Sequence, residues 1–431
     1  GIVGESGSGK SVSSMAVMGL TRFSGGKITE GKIIFDSPTL GKVDLVDLPE
    51  KDFRKIRGKE ISMIFQEPMT ALNPVLRCGD QVKEVLEIHT KLSSELIEKK
   101  VLELFELVKL PRPAQLMDAY PHEISGGQKQ RVVIAMAMAC DPLLIIADEP
   151  TTALDVTVQS SILELLKDLQ RTKGTSIIFI SHDLGVIGEV SDKVLVMYRG
   201  EIKEQQNVVD LFRNPQHPYT KGLLACRPTL DITSTRLLTI EDVIAGKTLV
   251  EAEPKKIKSN EDLQLVVEGL CTWFPLKKKL FSKEVEYVKA VDEVSFEVRK
   301  GETLGLVGES GCGKTTLGRT VMRLENSIAG KIIFEGRDIT HLKGRELKEL
   351  RKDIQIIFQD PYASLNPRMT IEQTLIEPMK VNKVLGSYSE RKDKAIYLLE
   401  KVGLSEEHLQ RYPHEFSGGQ RQRINICLLY T

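Results

Sequence analysis

Gly4-Glu5-Ser6-Gly7-Ser8-Gly9-Lys10-Ser11 and Gly308-Glu309-Ser310-Gly311-Cys312-Gly313-Lys314-Thr315 are two versions of one octapeptide, GxxxxGK[ST]. Its glycines let successive backbone N–H groups turn inward on an anion. The lysine adds a point charge, and the closing hydroxyl suits Mg²⁺. Around the second version, residues 303–307 predict a strand and Thr316-Leu317-Gly318-Arg319-Thr320-Val321-Met322 predicts a helix start. A chance glycine-rich turn explains one match poorly, and two matches followed by the same later motifs hardly at all.

Those later motifs also repeat. Gly31-Lys32-Ile33-Ile34-Phe35 returns as Gly330-Lys331-Ile332-Ile333-Phe334, and Met63-Ile64-Phe65-Gln66 as Ile356-Ile357-Phe358-Gln359. Tyr120-Pro121-His122-Glu123-Ile124-Ser125-Gly126-Gly127-Gln128 returns as Tyr412-Pro413-His414-Glu415-Phe416-Ser417-Gly418-Gly419-Gln420. Positions 10 and 314 are 304 apart, but 66 and 359 are 293 apart and 125 and 417 are 292 apart. The first copy thus carries about eleven extra residues, which the turn formers Pro38, Gly41 and Pro49 place in a loop-rich insertion over 36–53. Two units at this spacing mean domain duplication rather than a solenoid. The expected layout is a first domain over 1–230, a linker over 231–262 and a second domain over 263–431.

Between the repeats lie candidate strand ends. Leu143-Leu144-Ile145-Ile146-Ala147-Asp148-Glu149 is an apolar run closed by two carboxylates, suited to a buried parallel strand whose carboxyl end carries a ligand site. Asp148 is then set to hold Mg²⁺ and Glu149 to polarise water. Residues 175–181 form another apolar run, ending in His182, which could donate to a terminal phosphate, although a lone histidine is more often structural. Gln66 ends the strand-like 61–65 and offers a neutral amide to metal or water. Ser125-Gly126-Gly127-Gln128 precedes a predicted helix over 129–139 and reads either as an anion site or as a capped helix start.

Composition narrows the classes. The 431 residues hold 60 basic and 60 acidic side chains, so no global field favours nucleic acid or anionic lipid. The cysteines form no CxxC pair, which argues against a zinc site or a disulfide framework and fits a reducing compartment. No apolar run approaches the roughly 18 residues that span a bilayer. The chain opens inside a strand-to-loop junction without Met and is expected to be a fragment at both ends.

The fixed order of phosphate loop, glutamine, SGGQ, apolar run with Asp-Glu and strand-end histidine resembles the ATP-binding cassette (ABC) ATPases. The resemblance spans most of the chain, from 4 to about 228 and from about 263 to 426. It implies an α/β P-loop NTPase fold in tandem, each cassette a mainly parallel sheet with a helical subdomain between glutamine and signature. Residues 4–11 and 308–315 would be the Walker A loops, with Thr316 also at ATP. Gln66 and Gln359 would be the Q-loop residues, and Ser11, Thr315, Gln66, Gln359 and Asp148 the Mg²⁺ set. Ser125–Gln128 and Ser417–Gln420 would be the signatures. Glu149 would be the catalytic base, His182 the switch histidine, and Ala153-Leu154-Asp155 the D-loop.

Further segments sharpen the subfamily. Residues 149–159, Asn214-Pro215-Gln216-His217-Pro218-Tyr219-Thr220 and Asp360-Pro361-Tyr362-Ala363-Ser364-Leu365-Asn366-Pro367 look like the dipeptide, oligopeptide and nickel importer ATPases. The fused layout is similar to that of glutathione importers in that group. Thr272-Trp273-Phe274-Pro275 with Lys277–Lys279 fits too, Phe274 being the candidate to stack on adenine and Trp273 the second. The resemblance implies ATP hydrolysis energising import of a peptide-class solute, at the cytoplasmic face of the inner membrane. It implies permease subunits docked on 67–75 and 360–369, a solute-binding protein beyond them, and head-to-tail cassettes. A soluble tandem ATPase on ribosomes or DNA is the alternative; it fits less well, since the linker is short and no coiled coil or cysteine pair interrupts 66–125. The second copy has no Walker B, D-loop or switch histidine, and residues 427–431 depart from the usual continuation.

Overall fold

The structure is a computed structural model describing all residues except Ser6, 67–70, Ala153, 227–238, 240–241, 244, 248–262, 276–286, Ser310 and 360–363. Most of the expected linker, Lys277–Lys279, and parts of the two expected docking segments therefore lie outside the described residues. Chain contacts divide the molecule into two units, 1–256 and 257–431.

In the first unit, β1 (Ile2–Val3) is followed by a hairpin, β2 (Ile34–Ser37) and β3 (Gly41–Asp44). Then come β4 (Ile61–Ile64), β5 (Leu144–Asp148), β6 (Ser176–Ser181), β7 (Lys193–Tyr198) and β8 (Glu201–Asn207). Six of these form one sheet in the order β4-β5-β6-β1-β7-β8, parallel except for β7–β8. Parallel strands are buried on both faces, which is why β4 is buried at all four positions, Ser62 included, and β5 reads as an apolar run ending in Asp148 rather than an alternation. One apolar cluster, with Val3, Ile64, Ile145 and Phe179, joins the sheet to the helices; a second, with Phe53, Ile61, Ile146 and Ile180, covers the other side.

Residues 36–53 are more ordered than their turn formers suggest. They complete the β2–β3 hairpin and begin the helix Glu50–Ile56. Ser37 Oγ donates to Glu60 Oε2 at 2.6 Å just ahead of β4, so a side-chain contact rather than local pattern fixes the hairpin. Helices Cys78–His89 and Ser94–Leu107 follow, the helical part expected between Gln66 and Ser125.

The second unit has β9 (Leu263–Pro275), β10 (Tyr287–Arg299), β11 (Ala329–Phe334) and β12 (Arg337–Asp338) in an antiparallel sheet ordered β10-β9-β11-β12. Helices Ile371–Val381 and Tyr388–Lys401 close over their own apolar cluster with Leu375, Leu399 and Ile424. Residues 303–307, expected as a strand, are not one. Their counterpart β1 pairs with β6 and β7, whereas among the described residues no strand pairs with 303–307. Without partners, buried backbone N–H and C=O groups would go unbonded, so the segment stays at the surface. Val3 is 0% exposed, whereas Leu306 is 54% and Val307 93% exposed.

Two measurements check this contrast. Amides of β1 and β4 should exchange slowly, and those of 303–307 near the unprotected rate. Ile64→Ala should cost about 2–5 kcal/mol through the cavity it leaves, whereas Leu306→Ala should leave the melting transition almost unmoved.

Candidate active site

The parallel strands deliver the phosphate loop and three expected residues to one edge of the sheet. The phosphate loop leaves β1, Gln66 follows β4, Asp148 ends β5 and His182 follows β6. Carboxyl ends of parallel strands share a side, so residues far apart in sequence converge there.

The octapeptide folds alike in both units. Gly7 and Gly9 adopt φ 82° and 98°, and Gly311 and Gly313 adopt 82° and 100°, left-handed values that a side chain resists. Lys10 Nζ donates to the carbonyls of Gly4 (2.7 Å) and Glu5 (2.9 Å), and Lys314 Nζ to those of Gly308 (2.5 Å) and Glu309 (2.6 Å). Ser11 lies in the first turn of helix Lys10–Val17, and Thr315 and Thr316 in the first turn of helix Lys314–Val321. Their surroundings differ. Ser8 and Lys10 are buried, while the equivalent Cys312 is exposed and Lys314 half-buried. Ser6 and Ser310 lie outside the described residues.

Glu149 is the hub. Gln66 Nε2 donates to its Oε2 at 3.1 Å and Thr152 Oγ1 at 2.9 Å, while His182 Nδ1 lies 3.2 Å from its Oε1. Glu149 also takes a left-handed φ of 47°, strain that surrounding contacts must hold and that gathers at functional sites. Burial opposes its charge. The hydrogen bonds from His182 and Thr152, with the charges of His182 and Lys10, outweigh burial and hold the carboxyl below its ordinary range. The same bond pushes His182 above its ordinary value. Burial pushes Asp148 up, with the Ser11 hydroxyl acting against it. Burial pulls Lys10 down.

Asp148 Oδ1 is buried without a hydrogen-bond partner among the described residues. A buried carboxylate oxygen beside the Ser11 hydroxyl is the kind of oxygen donor a hard divalent cation takes. Among the described residues no group of three or more carboxylate, histidine or cysteine side chains is placed to hold a metal ion.

SGGQ caps a helix in both units. Ser125 Oγ accepts from Gln128 N and Gln128 Oε1 from Ser125 N, and Ser417 and Gln420 repeat the pair. The capped-start reading therefore holds, and it leaves Gly126 and Gly127 on the outer first turn of helix Gly126–Met138. Against them lie Leu154 and Val158. Asp155 caps helix Val156–Lys173 by accepting from Val158 N at 2.8 Å; Ala153 is not described. Gln359 follows 354–358, which forms no strand. Phe274 is partly exposed on β9 opposite Val288, and Trp273 Nε1 bonds Asp292 Oδ1 at 3.0 Å rather than entering a core. Thr152 escaped the sequence reading although it sits in the quoted 149–159 stretch; nothing in the pattern marked it as the carboxylate's partner.

The ABC transporter family model matches residues 1–152 and 291–431. A glutathione import ATP-binding protein from Pectobacterium atrosepticum is 46% identical over 430 residues, 99% of this chain and 69% of its own. One from Escherichia coli O6:H1 is 46% identical over 439 residues with the same coverage. A solved dimeric ATP-binding cassette in a post-hydrolysis state, bound to ADP and Pi, aligns at 31% identity and TM-score 0.42, covering 48% of this chain and 84% of its own.

The Glu149–His182 pair sets a pH window. Glu149's share of stability is full above its ordinary 4.5 and lost as pH falls through its lowered value. His182's share is full below its ordinary 6.5 and lost as pH rises through its raised value. His182→Ala should therefore cost most stability between 4.5 and 6.5 and less at alkaline pH. By NMR, His182 should titrate above 6.5 and fall to or below it in Glu149→Gln.

Proposed function

Because the chain belongs to the ABC transporter family, we propose that it is the ATP-hydrolysing subunit of an importer for glutathione, peptides or a related small solute, docked on membrane permease subunits that a solute-binding protein supplies. The observation that carries this is the convergence of Gln66, Thr152 and His182 on Glu149 beside the first phosphate loop. The import class rests on relatives aligned over 99% of the chain and named for glutathione import. Those names also weigh against the ribosome or DNA alternative.

Loop N–H groups and Lys10 or Lys314 would hold the triphosphate, and Phe274 would stack on the adenine of the second site. Ser11, Asp148 and Gln66, with Thr315 and Gln359 in the second copy, would hold Mg²⁺, which supplies charge neutralisation of the phosphate oxygens. Glu149, kept ionised at neutral pH, accepts a proton from the attacking water. His182 donates toward the terminal phosphate, exchanging its bond to Glu149 for one to substrate. Water adds to phosphorus, the bond to the ADP oxygen breaks, and inorganic phosphate leaves. Ser417–Gln420 would complete the first site from the partner cassette, head to tail, and Ser125–Gln128 the second. Among the described residues no helix is long and apolar enough to cross a membrane, which suits a peripheral subunit at the cytoplasmic face. A groove of about 380 Å³ lined by Met18, Leu20, Phe65, Val85 and His89 would take a permease's cytoplasmic helix.

Glu149→Gln should cut turnover by about 10²–10⁴-fold while ATP still binds; near-normal turnover would sink the assignment. Chelating Mg²⁺ should abolish hydrolysis. Phe65→Glu should lose co-purification with the permease pair while keeping ATP binding, and retained co-purification would move the docking surface elsewhere.

A further inference from the structure

Residues 214–220 took no part in the chemistry above, yet their fold carries one of them to the first phosphate loop. Glu204, buried on β8, accepts the N–H groups of Gln216 (2.7 Å) and His217 (3.0 Å). His217 Nδ1 accepts Tyr219 N–H at 3.1 Å, and Pro218 opens the helix Pro218–Ala225, where a missing N–H costs nothing. The start of that helix is thus fixed on three sides. Tyr219 emerges from it buried, its ring 4.4 Å from that of Tyr198. Its hydroxyl accepts the backbone N–H of Glu5 at 3.1 Å. The carbonyls of Gly4 and Glu5, on either side of that N–H, meanwhile accept from Lys10 Nζ. The turn between β7 and β8 adds a second support, Gly200 N–H donating to Ser8 O at 3.0 Å. Met197 O stands 2.1 Å from where a Cβ on Gly4 would lie. The second loop has the same internal geometry and its own close backbone approach, Ala290 O lying 2.0 Å from where a Cβ on Gly313 would stand, but among the described residues no tyrosine hydroxyl is bonded to its Glu309 N–H, and it is the more exposed of the two.

We propose that Tyr219 is a positioning residue for ATP binding at the first cassette, its hydroxyl setting the height and tilt of the phosphate loop through Glu5 N–H. The carbonyls of Gly4 and Glu5 hold Lys10 before nucleotide arrives, so a loop shifted at Glu5 presents both the lysine and the following N–H groups off register. This role rests on residues 4–11 being the triphosphate loop. It extends that reading to a residue more than two hundred positions away, on the segment that leads out of the first unit.

The test uses the full chain with Lys314→Ala, so that only the first loop binds, and titrates Mg·ATP and inorganic tripolyphosphate calorimetrically. Tyr219→Phe keeps the ring against Tyr198 and removes the acceptor. Leaving a part-buried N–H unbonded should weaken both probes about tenfold, with the melting transition largely kept. Tyr198→Phe should bind like the parent. Parental affinity in Tyr219→Phe, or equal weakening in Tyr198→Phe, overturns the proposal. If Lys10→Ala also binds like the parent, the triphosphate reading itself has failed, whereas loss in Lys10→Ala alone rejects only Tyr219. Should Tyr219→Phe not fold, hydrogen exchange on the unsubstituted chain decides: the Glu5 amide should be protected, and exchange at the free rate overturns the role.

Discussion

Ile2 and Val3 are bonded along both edges, to β6 on one side and β7 on the other, and the first site hangs from that double pairing. Two residues cannot hold a strand alone. Pairing on both sides satisfies their backbone groups in a dry interior and fixes the direction in which the chain leaves the sheet. The phosphate loop emerges in that direction. The same parallel sheet sends Asp148, His182 and Gln66 out at the same edge, so one hydrogen-bonding constraint sets the whole constellation.

The second copy separates what the octapeptide does by itself from what the sheet adds. Its glycine dihedrals and lysine bonds match the first almost degree for degree, so the loop's shape is local. Its flanking strand is not. Residues 303–307 carry apolar side chains as β1 does, but β propensity describes fitness for a place in a sheet and cannot supply the sheet. The second loop keeps its form and lies more exposed.

How much was legible follows the same line. The octapeptides, the apolar runs that became β4, β5 and β6, and the helix after SGGQ were readable because each signal lies within a few residues. Residues 303–307 were misjudged because a strand's neighbours are not written in the strand. The hairpin over 36–53 was hidden because Glu60, beyond the segment, ties it down. Thr152 and Tyr219 left no pattern: each acts through one polar atom, Tyr219 on a backbone group 214 positions away. The 214–220 stretch was visible as a motif, but its target was not.

Trp273 is the chain's single tryptophan, and it sits in the second unit with Lys289 4.4 Å above its ring and Asp292 on its indole N–H. Intrinsic indole emission from this protein therefore comes wholly from the second cassette. Its neighbour on β9 is Phe274, so light from one residue can report on that face of the second cassette without any label being added.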